Sequence, residues 1–158
     1  MGLFDSFKNK SDTLNQKQAF IASLIYMIAA DGVVEDEEMM QLEGAIAQFP
    51  DRDEVFNSAI KYVKRTPVNQ FLSEANGLLS DTQKMTILVN LADSLTSDGD
   101  ADPSEQRLFE QFLQAWNISE ERFRPFFEVI AMKNDRTVFI NQNDSRNTSG
   151  HRVSLSKG

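Results

Sequence analysis

The sequence predicts an all-α fold: about seven helices in a single bundle-like domain, with an internal pseudo-two-fold repeat and a polar C-terminal tail. Three observations carry this. Apolar residues recur at spacings of three and four along successive segments. Helix-start signals stand between those segments, among them Thr66-Pro67, Ser80 with Gln83, and Asp102-Pro103. Strand signals are missing outside Val138-Phe139-Ile140, which reads as a short strand or a docked segment.

The first helix is expected from about Thr13 to Ala30, with Phe20, Ile21, Leu24, Ile25 and Ile28 on one face. The second, from about Asp36 to Phe49, turns Met39, Leu42, Ile46 and Phe49 inward and stops at Pro50. Asp51 and Glu54 have the spacing of a capping box, in which each side chain accepts a free backbone N–H. They open a third helix carrying Val55, Phe56, Ala59, Ile60 and Val63. Pro67 is harmless at a first helical position and starts a fourth, lined by Phe71, Leu72, Ala75, Leu78 and Leu79. Ser80 and Gln83 cap a fifth, which runs to about Ser97 with Met85, Leu88, Leu91, Ala92 and Leu95 inward. The sixth, about Pro103 to Trp116, buries Leu108, Phe109, Phe112, Leu113 and Trp116. Ser119 starts the seventh, with Phe123, Phe126, Phe127 and Ile130 inward and Pro125 expected to kink or restart it.

The chain divides into an N-terminal segment (1–12), the helical domain (13–132) and a polar tail (133–158). Leu3, Phe4 and Phe7 share one side of the first segment, with Lys8 and Lys10 following, as suits packing on the body or docking on a membrane surface or partner. Gly2 and Ser6 match a myristoylation pattern that has meaning only in a eukaryotic setting. The stretch from Asn141 to Gly150 is polar without an apolar period, and disorder is expected there.

Composition narrows the function. With no cysteine there is no disulfide, zinc ribbon or thiol chemistry. No apolar run reaches the ~20 residues that cross a bilayer, and the N-terminus lacks the apolar core of a secretory signal. A cytoplasmic location is the expectation. Net charge is −8; from Lys133 onward five Lys/Arg face two Asp/Glu, so the tail is +3 and the body −11. Nucleic acid is excluded as the main partner, since phosphate binding needs clustered cations. An acidic body suits cations or a basic protein surface. His151, the only histidine, lies in the tail, and no phosphate-cradling glycine loop occurs, so no enzyme is expected.

A shift of 67 residues lays residues 20–49 on residues 87–116 without a gap. Leu24 meets Leu91, Ile28 meets Leu95, and Asp31-Gly32 meets Asp98-Gly99. Two amphipathic helix pairs share apolar spacing as a matter of course; the same Asp-Gly at the same phase is more specific. Glycine suits the left-handed residue that ends a helix. Four residues after each Asp stands Glu35 or Asp102, and three further on Glu38 or Glu105. Acidic residues at a helix start are often simply caps. Yet Asp98, Asp100, Asp102 and Glu105 put four carboxylates within eight residues, and Asp31, Glu35 and Glu38 lie with Asp36 and Glu37 in the first copy. Such clusters suit a hard divalent cation (Ca²⁺, Mg²⁺ or Mn²⁺), and these seven residues are the candidate metal ligands. The run from Asp98 begins like an EF-hand loop but has Pro103 where Gly is needed and Phe109 where the bidentate Glu belongs.

Ala29-Ala-Asp-Gly-Val-Val-Glu-Asp-Glu-Glu38, repeated as Thr96-Ser-Asp-Gly-Asp-Ala-Asp-Pro-Ser-Glu105, resembles the TerB-like family of tellurite-resistance-associated proteins over about residues 13–131. The resemblance implies a seven-helix bacterial cytoplasmic domain with pseudo-two-fold arrangement, linked to tellurite and general stress resistance. It implies a module for protein interaction or metal ions, working near the inner face of the membrane with a membrane-associated protein partner, and no established reaction. The family's acidic positions fall on Asp31, Glu35 and Glu38, and on Asp98, Asp102 and Glu105. Glu35 replaces a commoner Ser or Thr cap, and Asp100-Ala101 replaces a more apolar pair, so the two copies are unequal. If successive helices run up and down, both Asp-Gly turns fall at one end of the bundle.

Overall fold

Helix α1 (Gln16–Ile28) is the central element of the fold. The computed structural model describes residues 13–97 and 101–147. Ala19, Ile21, Ala22, Ser23, Leu24, Met27 and Ile28 are all buried, more than the single stripe of a surface helix. Ala19 and Ala22 have no exposed surface, and their small side chains let neighbouring helices come close. Asn15 and Gln18 form a capping box at its start, three residues after the expected beginning at about Thr13.

Around α1 lie α2 (Asp36–Ile46), α3 (Arg52–Arg65), α4 (Val68–Leu78), α5 (Asp81–Thr96) and α6 (Pro103–Ala115). Helix α3 packs on it most extensively. Helix α7 (Glu120–Asn134) lies on α5, and a single turn, α8 (Thr137–Ile140), follows. Among the described residues there is no strand, so the chain is all-α, as expected. Val138-Phe139-Ile140 is a helical turn and neither a strand nor docked: Phe139 is 87% exposed.

Phe71 centres the core, with its ring 5.1 Å from Tyr26, 6.0 Å from Tyr62 and 6.1 Å from Phe112. Trp116 stacks edge-on against Phe112 and donates its indole N–H to the Leu72 carbonyl at 3.2 Å, tying α6 to α4. Tyr26 donates to the Thr66 carbonyl, and Tyr62 to Glu74, each at 2.5 Å. Such rings each add about 1 kcal/mol beyond the area they bury.

Several local expectations are met. Ser80 and Gln83 cap α5 reciprocally. Asp102 caps α6 with Pro103 at its first position. Others are corrected. Asp51 makes no capping bond; its carboxylate turns to Lys17 on α1 at 3.1 Å, and that hydrogen bond holds it below the ordinary carboxylate range. Helix α7 runs through the exposed Pro125 without restarting, giving up the one backbone bond that the missing N–H would make. Phe126 and Phe127 are exposed, since only Phe123 and Ile130 of α7 reach the core.

Past α7, a hydrogen-bonded cluster around Arg146 joins residues 135–147. Arg146 bridges Asp135 at 2.7 Å and Asp144 at 2.5 Å and donates to Thr137. Arg146 draws Asp144 down to about 2. The expectations for segment 1–12 and for residues 148–158, including His151, lie outside the described residues.

Candidate functional site

The first acidic turn is built by the end of α1. Gly32 takes φ +82°, as the Asp-Gly pattern requires, and its N–H bonds the Ala29 carbonyl at 3.0 Å. A Cβ there would meet nothing, so the glycine serves the backbone angle alone. The Asp31 carboxylate accepts the Val33 N–H at 2.8 Å. Glu35 stands in extended backbone just before α2, and Glu38 reaches back to accept its N–H at 2.9 Å. Asp31 and Glu35 are exposed and Glu38 half-buried. Asp36 and Glu37 complete a run of negative charge at the positive end of the α2 dipole.

In the second turn Asp102 accepts the Ser104 N–H at 2.7 Å, and Glu105 stands half-buried in the first turn of α6. Asp98 and Asp100 lie outside the described residues, as does Gly99. Among the described residues no group of three or more Asp, Glu or His side chains is placed to hold a metal ion. The oxygen-only donor set of the two turns is nonetheless of the chemical type hard cations take.

A cleft of about 380 Å³ lies beside the start of α2 and the end of α5. Leu24 and Ile28 of α1 and Leu42 of α2 form its floor. Glu38 and Gln41 stand on one wall, Asp93, Ser94 and Ser97 of α5 on another, and Lys133 and Asn134 of α7 on a third. Gln41 donates its amide to the Ser97 hydroxyl at 3.2 Å, and Ser97 immediately precedes Asp98. The C-terminal halves of α1 and α5 thus reach the same cleft.

Asp93 is the feature that sequence reasoning missed. It accepts from Lys133 Nζ at 3.0 and 3.1 Å and from Asn134 Nδ2 at 2.7 Å, and Asn134 also donates to Thr96 at 2.8 Å. Burial pushes the Asp93 carboxyl up, but the bonds from Asn134 and Lys133 outweigh it and hold the group below its ordinary range. The partners stand about forty positions away, and no local pattern announces such a pair.

A second, more apolar groove of about 410 Å³ lies between α5, α6 and α7. Leu95, Phe109, Leu113, Phe123 and Phe127 line it, with Glu110, Glu120 and Arg124 at its polar margin. Among the described residues no helix is long and apolar enough to cross a membrane.

A family model described as tellurite resistance protein TerB matches residues 17–126, which takes in both acidic turns and ends within α7. No curated protein and no solved structure matches the chain. With the match spanning well over half of its length, the chain belongs to the TerB family of tellurite-resistance proteins.

Proposed function

We propose that the chain is a non-enzymatic TerB-family module, serving tellurite and stress resistance, whose two acidic turns act together at one end of the bundle. They take a divalent cation, a basic surface of a protein partner, or both. The reading is supported by the cleft that Glu38 shares with Ser97, which brings the start of α2 beside the approach to Asp98. A sequence shift of 67 residues gives the turns the same acidic spacing: Asp31, Glu35 and Glu38 in one, Asp98, Asp102 and Glu105, with Asp100 added, in the other. Seven carboxylates at one end repel one another unless positive charge compensates, and Ca²⁺, Mg²⁺ or Mn²⁺ supplies it in the most compact form. The proposed setting is the cytoplasm, at the inner face of the membrane, with a membrane-associated protein as partner.

A specific observation favours a second reading. Asp31, Glu38 and Asp102 each accept a backbone N–H within their own turn, which is the work of a cap. On that reading the turns only shape the acidic face, and the partner is a basic protein alone. Calorimetric titration with the three cations separates the two. The cation reading expects heat and a raised melting temperature, both lost in Asp31→Ala with Asp98→Ala. The cap reading expects no heat, and a stability loss of ~1 kcal/mol per cap in those variants.

A further inference from the structure

The cleft beside the first acidic turn joins an apolar floor to charge of one sign. Leu24, Ile28, Leu42 and Ala45 line it on the apolar side. Lys133, the cation on its wall, is taken up by Asp93 at 3.0 Å. Helix α2 beside it carries Asp36, Glu37, Glu38 and Glu43 without a Lys or Arg. From residue 18 to residue 50 there are six Asp/Glu and no Lys/Arg at all. A surface of this kind fits a segment that is apolar and basic together.

Such a segment belongs to the same chain and starts next to the cleft. Asn134 stands on the cleft wall, and its neighbour Asp135 holds Arg146 at 2.7 Å. Asn147, the last described residue, follows Arg146 directly and donates its side-chain amide to the Val138 carbonyl at 2.8 Å. The chain therefore leaves the described body one ion pair away from the cleft wall. Residues 148–158 hold Arg152 and Lys157, with Val153 and Leu155 between them, and no Asp or Glu. Val153 is six residues past Asn147 and Leu155 eight, a reach of roughly 20–28 Å in extended backbone, where the two share a face.

We propose that residues 148–158 dock back across this cleft as an internal ligand, with Val153 and Leu155 over the apolar floor and Arg152 and Lys157 against the carboxylates of α2. Tethering raises the concentration of the tail at the cleft to about the millimolar level, so modest contacts suffice. The tail then stands where an outside ligand of the acidic turns arrives, and that ligand must displace it. This consequence rests on the reading of the turns as a binding region. A tail covering the cleft about nine-tenths of the time weakens such a ligand about tenfold.

A nitroxide attached at Ser156→Cys tests the docking in the full chain, which has no cysteine of its own. Backbone amides of Glu38, Gln41, Asp93 and Ser97 are expected to broaden more than those of α4, which has no part in the cleft. The effect weakens in Arg152→Gln with Lys157→Gln, and in Val153→Ser with Leu155→Ser, while helical circular dichroism stays unchanged. Equal broadening everywhere, or broadening centred on Phe109 and Leu113 of the other groove, overturns the proposal. So does broadening carried to an isotope-labelled chain by a nitroxide on a second copy, which gives the cleft to another molecule's tail. Calorimetric titration with Ca²⁺ reads the competition. The Val153/Leu155 variant keeps the charge of the parent and should bind at least about threefold tighter. Equal affinity in the two chains overturns the covering role. No heat in either chain defeats the cation reading of the turns, while the broadening still decides the docking.

Discussion

Replacing Asp93 with Ala removes the acceptor that ties α7 to α5 at the wall of the cleft. The Lys133 pair is largely exposed, 63% on the lysine side, and such pairs contribute only ~0.5 kcal/mol. The Asn134 bond is shorter, half-buried and made to a charged acceptor, which is worth about 1.5 kcal/mol. Asn134 keeps its bond to Thr96, so no buried polar atom is orphaned. The sum is ~2 kcal/mol, or a melting temperature lower by roughly 4–8 °C for a domain of this size. Thermal unfolding followed by circular dichroism reads it. The sign of the pH dependence follows from the depressed folded pKa of Asp93. Its contribution is complete above the unfolded value of ~3.9 and is lost as pH falls through the lower folded value. The gap between parent and variant should therefore be full at neutral pH and close below about pH 4. A gap under ~0.5 kcal/mol at neutral pH, or one that ignores acid, would refute the assignment of Asp93 as the clamp.

Two further perturbations probe the core. Phe71→Ala, which empties the centre of the Tyr26, Tyr62 and Phe112 rings, should cost ~3–5 kcal/mol in chemical denaturation, against about 1 kcal/mol or less for an exposed position such as Val129. The chain has two tyrosines, and both resist ionisation: burial, with the Glu74 charge behind it, pushes Tyr26 up to about 12. Burial and then the bond to Glu74 push Tyr62 higher still. A raised folded pKa gives stability that is complete below the unfolded value of ~10 and lost as pH climbs through the folded one. Tyrosinate absorbance should accordingly stay flat to about pH 11 and rise only with loss of helix; a normal titration near pH 10 in the folded chain contradicts the packing.

Where folding is decided by local chemistry, the sequence was readable. Helix periodicity located α1, α4, α5 and α6, Ser80 with Gln83 marked a real cap, and Asp31-Gly32 marked a real positive φ. It failed where a side chain chooses between a local and a distant partner. Asp51 has the spacing of a cap but meets Lys17, thirty-four residues away. Phe126 and Phe127 sit at helical spacing, but α7 rests on α5 along a stripe too narrow to cover them. Tyr62 is buried despite its hydroxyl because Glu74 satisfies it. Asn117, at φ 53°, closes α6 where a glycine would be expected; its N–H bonds the Gln114 carbonyl, and that of Ile118 the Leu113 carbonyl. The candidate site divides the same way. The first turn was legible from charge and glycine, whereas the cleft beside it depends on contacts such as Gln41 to Ser97 across fifty-six positions.

The central claim is that two acidic turns, far apart in sequence, form one binding region. Paramagnetic broadening by Mn²⁺ tests it most directly, with backbone amides of the full chain observed as the ion is added. The account predicts that amides from Asp31 to Glu38 and from Asp98 to Glu105 broaden together, and that Asp31→Ala weakens the effect in both turns. Broadening confined to one turn, or none in either, contradicts it.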